Sequence, residues 1–389
     1  MKKKLPINVA VIGCGALAQQ MHIPNVLNSS RMVLHTCCDL NSNSLAECEQ
    51  KFHPLHITSD YEATIHDPEV DLIVLATTEK FRLEPIRLAA AAGKPMYVEK
   101  PIATSLQVTY EIQQIVNDSG IPFCVGHNRR SSPAMIDANR IFRAHMENPI
   151  PCVWRWNREQ DLRVAQPEDG VASMSVRIND DWYSWKAWVF DPTQAPHGPM
   201  LFEMTHFTDM CNWMLGSQPV AVTAVETGML NHAIIIRYAG GELATLNMTG
   251  NGTFGYPKEL FEMMGNGALV AVDHMVEVRT AGIADASTKI PYPLINDRFP
   301  DVGTKGGISG FYAKQRAACE QASSERDSTL VIHGNPNKGH AAQLERFVDQ
   351  IQGVGPVVCS IDDAVLATRV AFAAIRSAHE KRTVGLEEV

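Results

Sequence analysis

The β-branched, apolar run Ile7-Asn8-Val9-Ala10-Val11-Ile12 leads directly into Gly13-Cys14-Gly15-Ala16-Leu17-Ala18, and few folds accommodate both in succession. The run suits a strand buried on both faces of a parallel sheet. Gly13 then permits a tight turn, Gly15 leaves backbone open to the close approach of a pyrophosphate, and small Ala18 lets a following helix pack on the strand. N–H groups at the start of that helix, expected near Ala18, face the anion. A Gly-x-Gly-x-x-Ala string is weak evidence alone, and its strand–turn–helix setting is what makes it a dinucleotide-binding expectation.

A second apolar run, Met32 to Cys38, ends in Asp39, where a carboxylate can accept hydrogen bonds from an adenosine ribose. No Arg follows among Leu40, Asn41, Ser42 and Asn43 to offset a 2′-phosphate, so NAD is expected in preference to NADP. The competing use of Asp39 is to cap the next helix. Strand-like Val70 to Thr77 and Met96 to Glu99 flank a helical stretch near Leu83 to Ala92, and a helix near Leu106 to Ser119 leads into a strand ending at Gly126. This alternation implies about six parallel strands by residue 126.

After about residue 150 the pattern changes to alternating strands near Cys152–Asn157, Val220–Thr227, Ala233–Tyr238, Glu242–Thr249, Leu260–Gly265 and Leu269–His274. They predict a largely antiparallel sheet. A Pro- and Gly-rich loop is expected from about Gly282 to Gly307, then a helix near Phe311 to Ser323, with two closing helices at Lys338 to Ile351 and Ile361 to Arg382. The fold class expected is α/β: an N-terminal doubly wound Rossmann domain over 1–126, an α+β domain with an open sheet over 127–360, and a C-terminal helix over 361–389 packing back on the body.

At 389 residues the chain is long enough for two domains. Its net charge of -9, with 34 scattered Lys and Arg, disfavours nucleic acid as a partner. Nine cysteines without framework spacing read as reduced thiols of a cytoplasmic protein. The segment Met1-Lys2-Lys3-Lys4 and the following run imitate a signal peptide, but the apolar core is too short. No stretch is long and apolar enough to span a bilayer as a helix, and no membrane partner is expected.

Four motifs follow in order: Gly13-Cys14-Gly15-Ala16-Leu17-Ala18, Glu99-Lys100-Pro101-Ile102-Ala103, Val125-Gly126-His127-Asn128-Arg129-Arg130 and Glu203-Met204-Thr205-His206-Phe207-Thr208-Asp209. Together they resemble the Gfo/Idh/MocA oxidoreductases, a family named after glucose-fructose oxidoreductase and inositol dehydrogenase. Ala371 to Ala378 looks like the family's closing helix, so the resemblance covers nearly the whole chain. It implies a tightly held nicotinamide cofactor, a sugar or cyclitol substrate, and a homodimer or homotetramer formed through the second domain's sheet.

By position, Lys100 corresponds to the family's catalytic lysine and His206 to its usual acid/base. Gly13, Gly15, Ala16, Leu17, Ala18, Asp39, Thr77, Thr78, Glu99, Lys100 and Asn128 fall on the cofactor side. Lys100, Arg129, Trp185, Lys186, Glu203 and His206 fall on the substrate side, with Trp185-Lys186 matching a Trp-Arg/Lys pair of relatives. Three features depart from the family's pattern: His197-Gly198-Pro199 replaces a Gly-rich stretch, Phe202 replaces an aspartate four residues before the histidine, and Thr78-Glu79 stands where Thr-Pro is common.

Oxidising a secondary alcohol needs a base for the hydroxyl proton, and an imidazole titrating near neutrality suits it. Lys100 can stabilise the developing alkoxide, unless it is an ordinary strand-end surface charge. A helix over about Leu201 to Leu215 places Glu203, His206 and Asp209 on one face, where Glu203 can orient His206 and Asp209 can form a helix-surface ion pair. No metal is expected there, because Glu-x-x-His lacks a second such pair or a Cys cluster. Trp154, Trp156, Trp182, Trp185 and Trp188 lie close together in sequence and read mostly as core or interface residues. Two other readings remain open: an enzyme that recycles bound NAD to cleave or epimerise glycosides, and a non-catalytic nucleotide-sensing module.

Overall fold

The computed structural model describes residues 5–147, 171–180, 191, 197–227, 231–253, 255–295, 306–325 and 336–389. Two compact units result. The first comprises Met1–Ser131, Leu201–Asp209 and Gly339–Ala371, and the second comprises Ser132–Met200, Met210–Lys338 and Phe372–Val389. The first unit therefore takes in two segments that are distant from it in the chain.

In the first unit, β1 (Ile7–Ile12), β2 (Met32–Cys38), β3 (His56–Thr58), β4 (Leu72–Leu75), β5 (Met96–Val98) and β6 (Phe123–Val125) form one sheet in the order β3-β2-β1-β4-β5-β6. Every pair is parallel. This is the doubly wound Rossmann order, with the strand sequence reversing direction between β1 and β4. Burial on both faces explains the near-continuous apolar strands: Val9, Ala10 and Val11 of β1 and all four residues of β4 have no exposed surface.

The helices follow from local signals. Ser105 caps Leu106–Ser119 by accepting from the Val108 N–H, and Gly120 ends it in the left-handed region at φ 63°. Helix His340–Ile351 belongs to this unit and buries Leu344, Phe347 and Val348, with the Phe347 ring 6.4 Å from that of Tyr97. The Tyr97 hydroxyl donates to Gln343 Oε1 at 2.8 Å, and Gln343 Nε2 donates to the Val125 carbonyl at 3.0 Å. These two bonds tie β5 and β6 to a helix more than 200 residues away.

In the second unit, β7 (Ser173–Asn179), β8 (Pro219–Thr227), β9 (Asn231–Tyr238), β10 (Leu243–Thr249), β11 (Glu259–Gly265), β12 (Ala268–Asp273), β13 (Glu277–Ala281), β14 (Lys289–Pro291) and β15 (Val384–Gly385) form a nine-stranded sheet. Its order is β14-β13-β12-β11-β7-β10-β9-β8-β15, and its pairs are antiparallel except β7 with β10. Strand β9 alternates cleanly, burying His232, Ile234, Ile236 and Tyr238 while Ile235 faces out.

The expected loop after Gly282 carries the short strand β14, because Lys289–Pro291 adds an edge to β13. Strands β7 and β13 and the helix Pro133–Glu147 also go beyond the sequence expectation. The expected strand at Cys152–Asn157 lies outside the described residues, as do Trp154, Trp156, Trp182, Trp185, Lys186 and Trp188. No helix among the described residues is long and apolar enough to cross a membrane.

Gly13 sits at φ +92°, and a Cβ there would lie 2.7 Å from both the Ala76 carbonyl carbon and the Thr77 nitrogen. Backbone on both sides leaves it nowhere to move. Gly13→Ala is expected to lower stability by about 1–3 kcal/mol through strained backbone and forced separation of β1 from the loop after β4. Chemical denaturation checks this, and an unchanged midpoint would refute it.

Candidate functional site

The carboxyl ends of the first sheet's strands present a continuous set of loops. Gly13 follows β1, Asp39 follows β2, Thr77 follows β4, Glu99 follows β5 and Gly126 follows β6. Ligands of open parallel sheets collect at such ends, beside the reversal in strand order.

The glycine turn is built as its sequence requires. The Gly13 N–H donates to the Cys38 carbonyl at 2.8 Å, whereas a Cβ on Gly15 would meet nothing within 4 Å. Gly15, Ala16 and Leu17 are exposed and Ala18 is buried. The expected helix begins as a π-helical turn at Ala18–His22 and continues as Ile23–Leu27. Asp39 accepts from the Cys14 N–H at 2.6 Å and from the Asn41 N–H at 2.8 Å. The helix-capping role weighed for Asp39 falls instead to Asn41, whose side chain accepts from the Asn43 and Ser44 N–H groups. Asp39 thus braces the glycine turn and remains half-buried at the end of β2.

An open Gly15 backbone, a carboxylate at the end of β2 and a buried Thr77 hydroxyl without a hydrogen-bond partner among the described residues all lie along one run of loops. These features fit a dinucleotide. Thr78 is exposed in extended backbone just before the short helical turn Glu79–Phe81.

Glu99 is buried, and its carboxylate serves the protein. Oε1 lies 2.9 Å from His22 Nε2, while Oε2 accepts from the Lys100 N–H at 3.1 Å. Burial pushes its pKa up, but the hydrogen bond and field of His22, aided by Lys100, outweigh that and hold it at about 2. The π-helical turn places His22 for this contact.

Arg82 carries no motif signature in the sequence and is nearly fully buried. Its Nε and Nη2 donate to the Thr77 carbonyl at 3.1 and 2.7 Å, and its Nη1 donates to the carbonyls of Glu99 and Pro101. One guanidinium thereby fixes the loops after β4 and β5, including the backbone on both sides of Lys100. Burial lowers the Arg82 pKa, opposed by Glu79 and Glu99.

The Lys100 ammonium donates to the Phe202 carbonyl at 2.7 Å and lies 3.8 Å from Glu203 Oε2. Glu203 Oε1 is 3.6 Å from Arg129 Nη2, so this carboxylate stands between two cations. Phe202 contributes its backbone oxygen to the Lys100 contact. The expected single helix over Leu201 to Leu215 is divided into Gly198–Phe202 and Met204–Leu215. Glu203 lies in the break and does not share a continuous helical face with His206, whose N–H donates to the Glu203 carbonyl at 3.1 Å.

His206 is buried, with Nδ1 making no hydrogen bond to the described protein atoms, and its ring meets that of His127 edge-on at 5.8 Å. Burial first, then the cations Arg129 and Lys100, hold its pKa well below the ordinary histidine range. It is therefore neutral at pH 7, with a ring nitrogen available as a base. Burial also lowers His127. Arg129 is buried and stacks over the Phe207 ring at 4.9 Å, while buried Asn128 opens the short helical turn Asn128–Ser131.

Asp209 does not take the alternative role of a helix-surface ion pair. It is fully buried and accepts from Arg130 Nε and Nη2 at 2.9 and 2.7 Å, and Arg130 Nη1 reaches Asp363 at 3.2 Å. Burial disfavours the Arg130 cation, but Asp209 more than compensates and raises its pKa. This pair fastens the segment carrying His206 to the loop after β6.

Residues 7–127 match the model of an oxidoreductase family with an NAD-binding Rossmann fold, GFO_IDH_MocA. Over that span the chain resembles the Gfo/Idh/MocA oxidoreductases. It is 22% identical to inositol 2-dehydrogenase of Rhizobium meliloti, covering 82% of this chain and 81% of that one. It is 20% identical to myo-inositol 2-dehydrogenase of Thermotoga maritima, covering 98% and 99%. Its fold matches that of levoglucosan dehydrogenase in complex with NADH and levoglucosan, with a TM-score of 0.73 at 19% identity over 98% and 99% of the two chains.

Asp209→Asn removes the charge that compensates a buried guanidinium. A loss of about 3–5 kcal/mol is expected in denaturant unfolding, with much of it restored in the Arg130→Met/Asp209→Leu double variant. A loss below about 1 kcal/mol in the single variant would show that the pair is not a principal tie.

Proposed function

We propose that the protein is an NAD-dependent dehydrogenase acting on a secondary hydroxyl, or the corresponding ketone, of a sugar, cyclitol or sugar derivative. The observation that carries this reading is the placement of Lys100, Glu203, Arg129 and His206 in the unit that holds the dinucleotide loops. The named activities of the inositol and levoglucosan dehydrogenases support the substrate class.

NAD bound on these loops supplies the acceptor for the hydride leaving the carbinol carbon. His206, kept neutral, takes the hydroxyl proton on a ring nitrogen. The Lys100 ammonium, held by the Phe202 carbonyl and Glu203, stabilises negative charge on the substrate oxygen. Glu203 limits the combined positive field of Lys100 and Arg129, and Arg129 offers donors to substrate hydroxyls. NAD is favoured over NADP because Asp39 would repel a 2′-phosphate and no cationic side chain follows it before Lys51.

The test is NADH formation followed by absorbance with a panel of sugars, cyclitols and glycosides, using NAD and NADP separately. Lys100→Ala is expected to lose roughly 10²- to 10³-fold in kcat with cofactor binding retained. A base acts when deprotonated, so the depressed pKa of His206 carries the acid limb of kcat/KM below pH 6.5. Unchanged turnover in Lys100→Ala, or an acid limb at an ordinary histidine pKa, would overturn these roles. Product formed without net NADH would replace dehydrogenation by internal recycling.

The outer face of the second sheet supports a homo-oligomer. Val225 is 65% and Ile235 44% exposed there, alongside Thr223, Ala233 and Thr245. A face this apolar suits burial against a second copy. Light scattering is expected to show a dimer or tetramer that Ile235→Asp dissociates; a monomeric wild-type chain would refute the assembly.

A further inference from the structure

We propose that His35, His56 and Glu69 form a binding site for a divalent transition-metal ion, with Zn2+ the best match to the donor set. The three are far apart in the chain: His35 lies within β2, His56 opens β3 and Glu69 shortly precedes β4. Each offers one ligand atom, and these atoms lie within 4.8 Å of one another. Nothing in the dinucleotide or proton-transfer roles uses them.

The distances suit an ion. A tetrahedral Zn2+ with ligand bonds of about 2.0–2.2 Å separates its donors by roughly 3.3–3.6 Å. His35 Nε2 and Glu69 Oε2 are 3.5 Å apart, and the His35 and His56 ring centroids are 4.8 Å apart. His56 and Glu69 are exposed, so small side-chain rotations can complete the set, while His35 is buried and supplies a fixed point. Two imidazoles and one carboxylate leave a fourth position for water.

The surroundings of His35 point the same way. Its Nδ1 lies 2.9 Å from Thr36 Oγ1, leaving Nε2 facing the Glu69 carboxylate. When Nδ1–H donates to that hydroxyl, the Nε2 lone pair confronts carboxylate oxygens, an arrangement that a cation between them stabilises. A hydrogen bond at the distal ring nitrogen is also how proteins orient metal-binding histidines. Asn8 steadies the chain at Glu69, its Nδ2 donating to the Glu69 carbonyl at 2.9 Å.

A second convergent set, Cys14, Cys37 and Cys48, is different in character. All three are fully buried; the hydrogen bond with Cys37 and burial push the Cys14 thiol far up, and burial pushes Cys48 up to about 12. Buried thiols of this kind behave as packing groups. The histidine site has an open side, with His56 and Glu69 exposed.

The experiment uses the full chain, stripped with a chelator, and titrates Zn2+ by calorimetry and Co2+ by its visible absorption. One equivalent is expected to bind. His56→Ala and Glu69→Gln, both at exposed positions, are each expected to weaken binding roughly 100-fold or more, and Thr36→Val roughly 10- to 100-fold. Thermal unfolding without metal confirms that the variants are folded. Lack of saturable binding to the wild-type chain, or binding that survives unchanged in either ligand variant, overturns the site and leaves the proposed dehydrogenase reading untouched.

Discussion

A buried guanidinium sets the geometry on which the candidate site depends. Arg82 donates to the carbonyls of Thr77, Glu99 and Pro101, so the loops leaving β4 and β5 are held by one rigid, planar group. Five donors in a fixed fork satisfy several carbonyls at once, which a lysine ammonium would do with less geometric control. Burying such a cation is costly, and the surrounding acceptors together with Glu79 and Glu99 offset that cost. The Lys100 backbone lies between two of the fastened carbonyls, and its side chain inherits that placement.

Charge around Lys100 is balanced by a few named groups. Glu203 stands between Lys100 and Arg129, Asp209 and Asp363 meet Arg130, and Glu99 turns inward to His22. The cations at the proposed reacting centre therefore remain while the net field is moderated. Their presence beside His206 also disfavours its imidazolium form. Proton affinity at that ring thus depends on its burial, on Lys100 after β5 and on Arg129 and His127 after β6.

The Rossmann half was legible in the sequence because its information is local. Gly13, Gly15 and Ala18 occupy a fixed spacing after a buried strand, Asp39 ends the next strand, and Lys100 ends another. The contacts that hold these pieces are long-range and leave no spacing to read. His22 meets Glu99, Arg130 meets Asp209, and Arg82 reaches backbone carbonyls that carry no side-chain signature. Glu203 shows a further limit: periodicity placed it on a helical face, whereas the helix restarts at Met204 and leaves it in the break. Helix Pro133–Glu147 did carry a readable pattern, since Ala134, Ala138, Ile141 and Phe142 are buried at helical spacing.

The Gly339–Ala371 segment has a bearing on how the molecule is made. It contributes Phe347 and Gln343 to a unit whose six strands are complete by Val125. A ribosome adding about 5–20 residues per second must translate roughly 200 more residues before that helix emerges, a delay of about 10–40 s. Throughout that interval Tyr97 and the adjoining sheet surface lack their cover, while the second unit's strands are already leaving the exit tunnel. Nascent chains of this design therefore spend a defined period with an incomplete nucleotide-binding half, the stage at which a chaperone's protection is worth most.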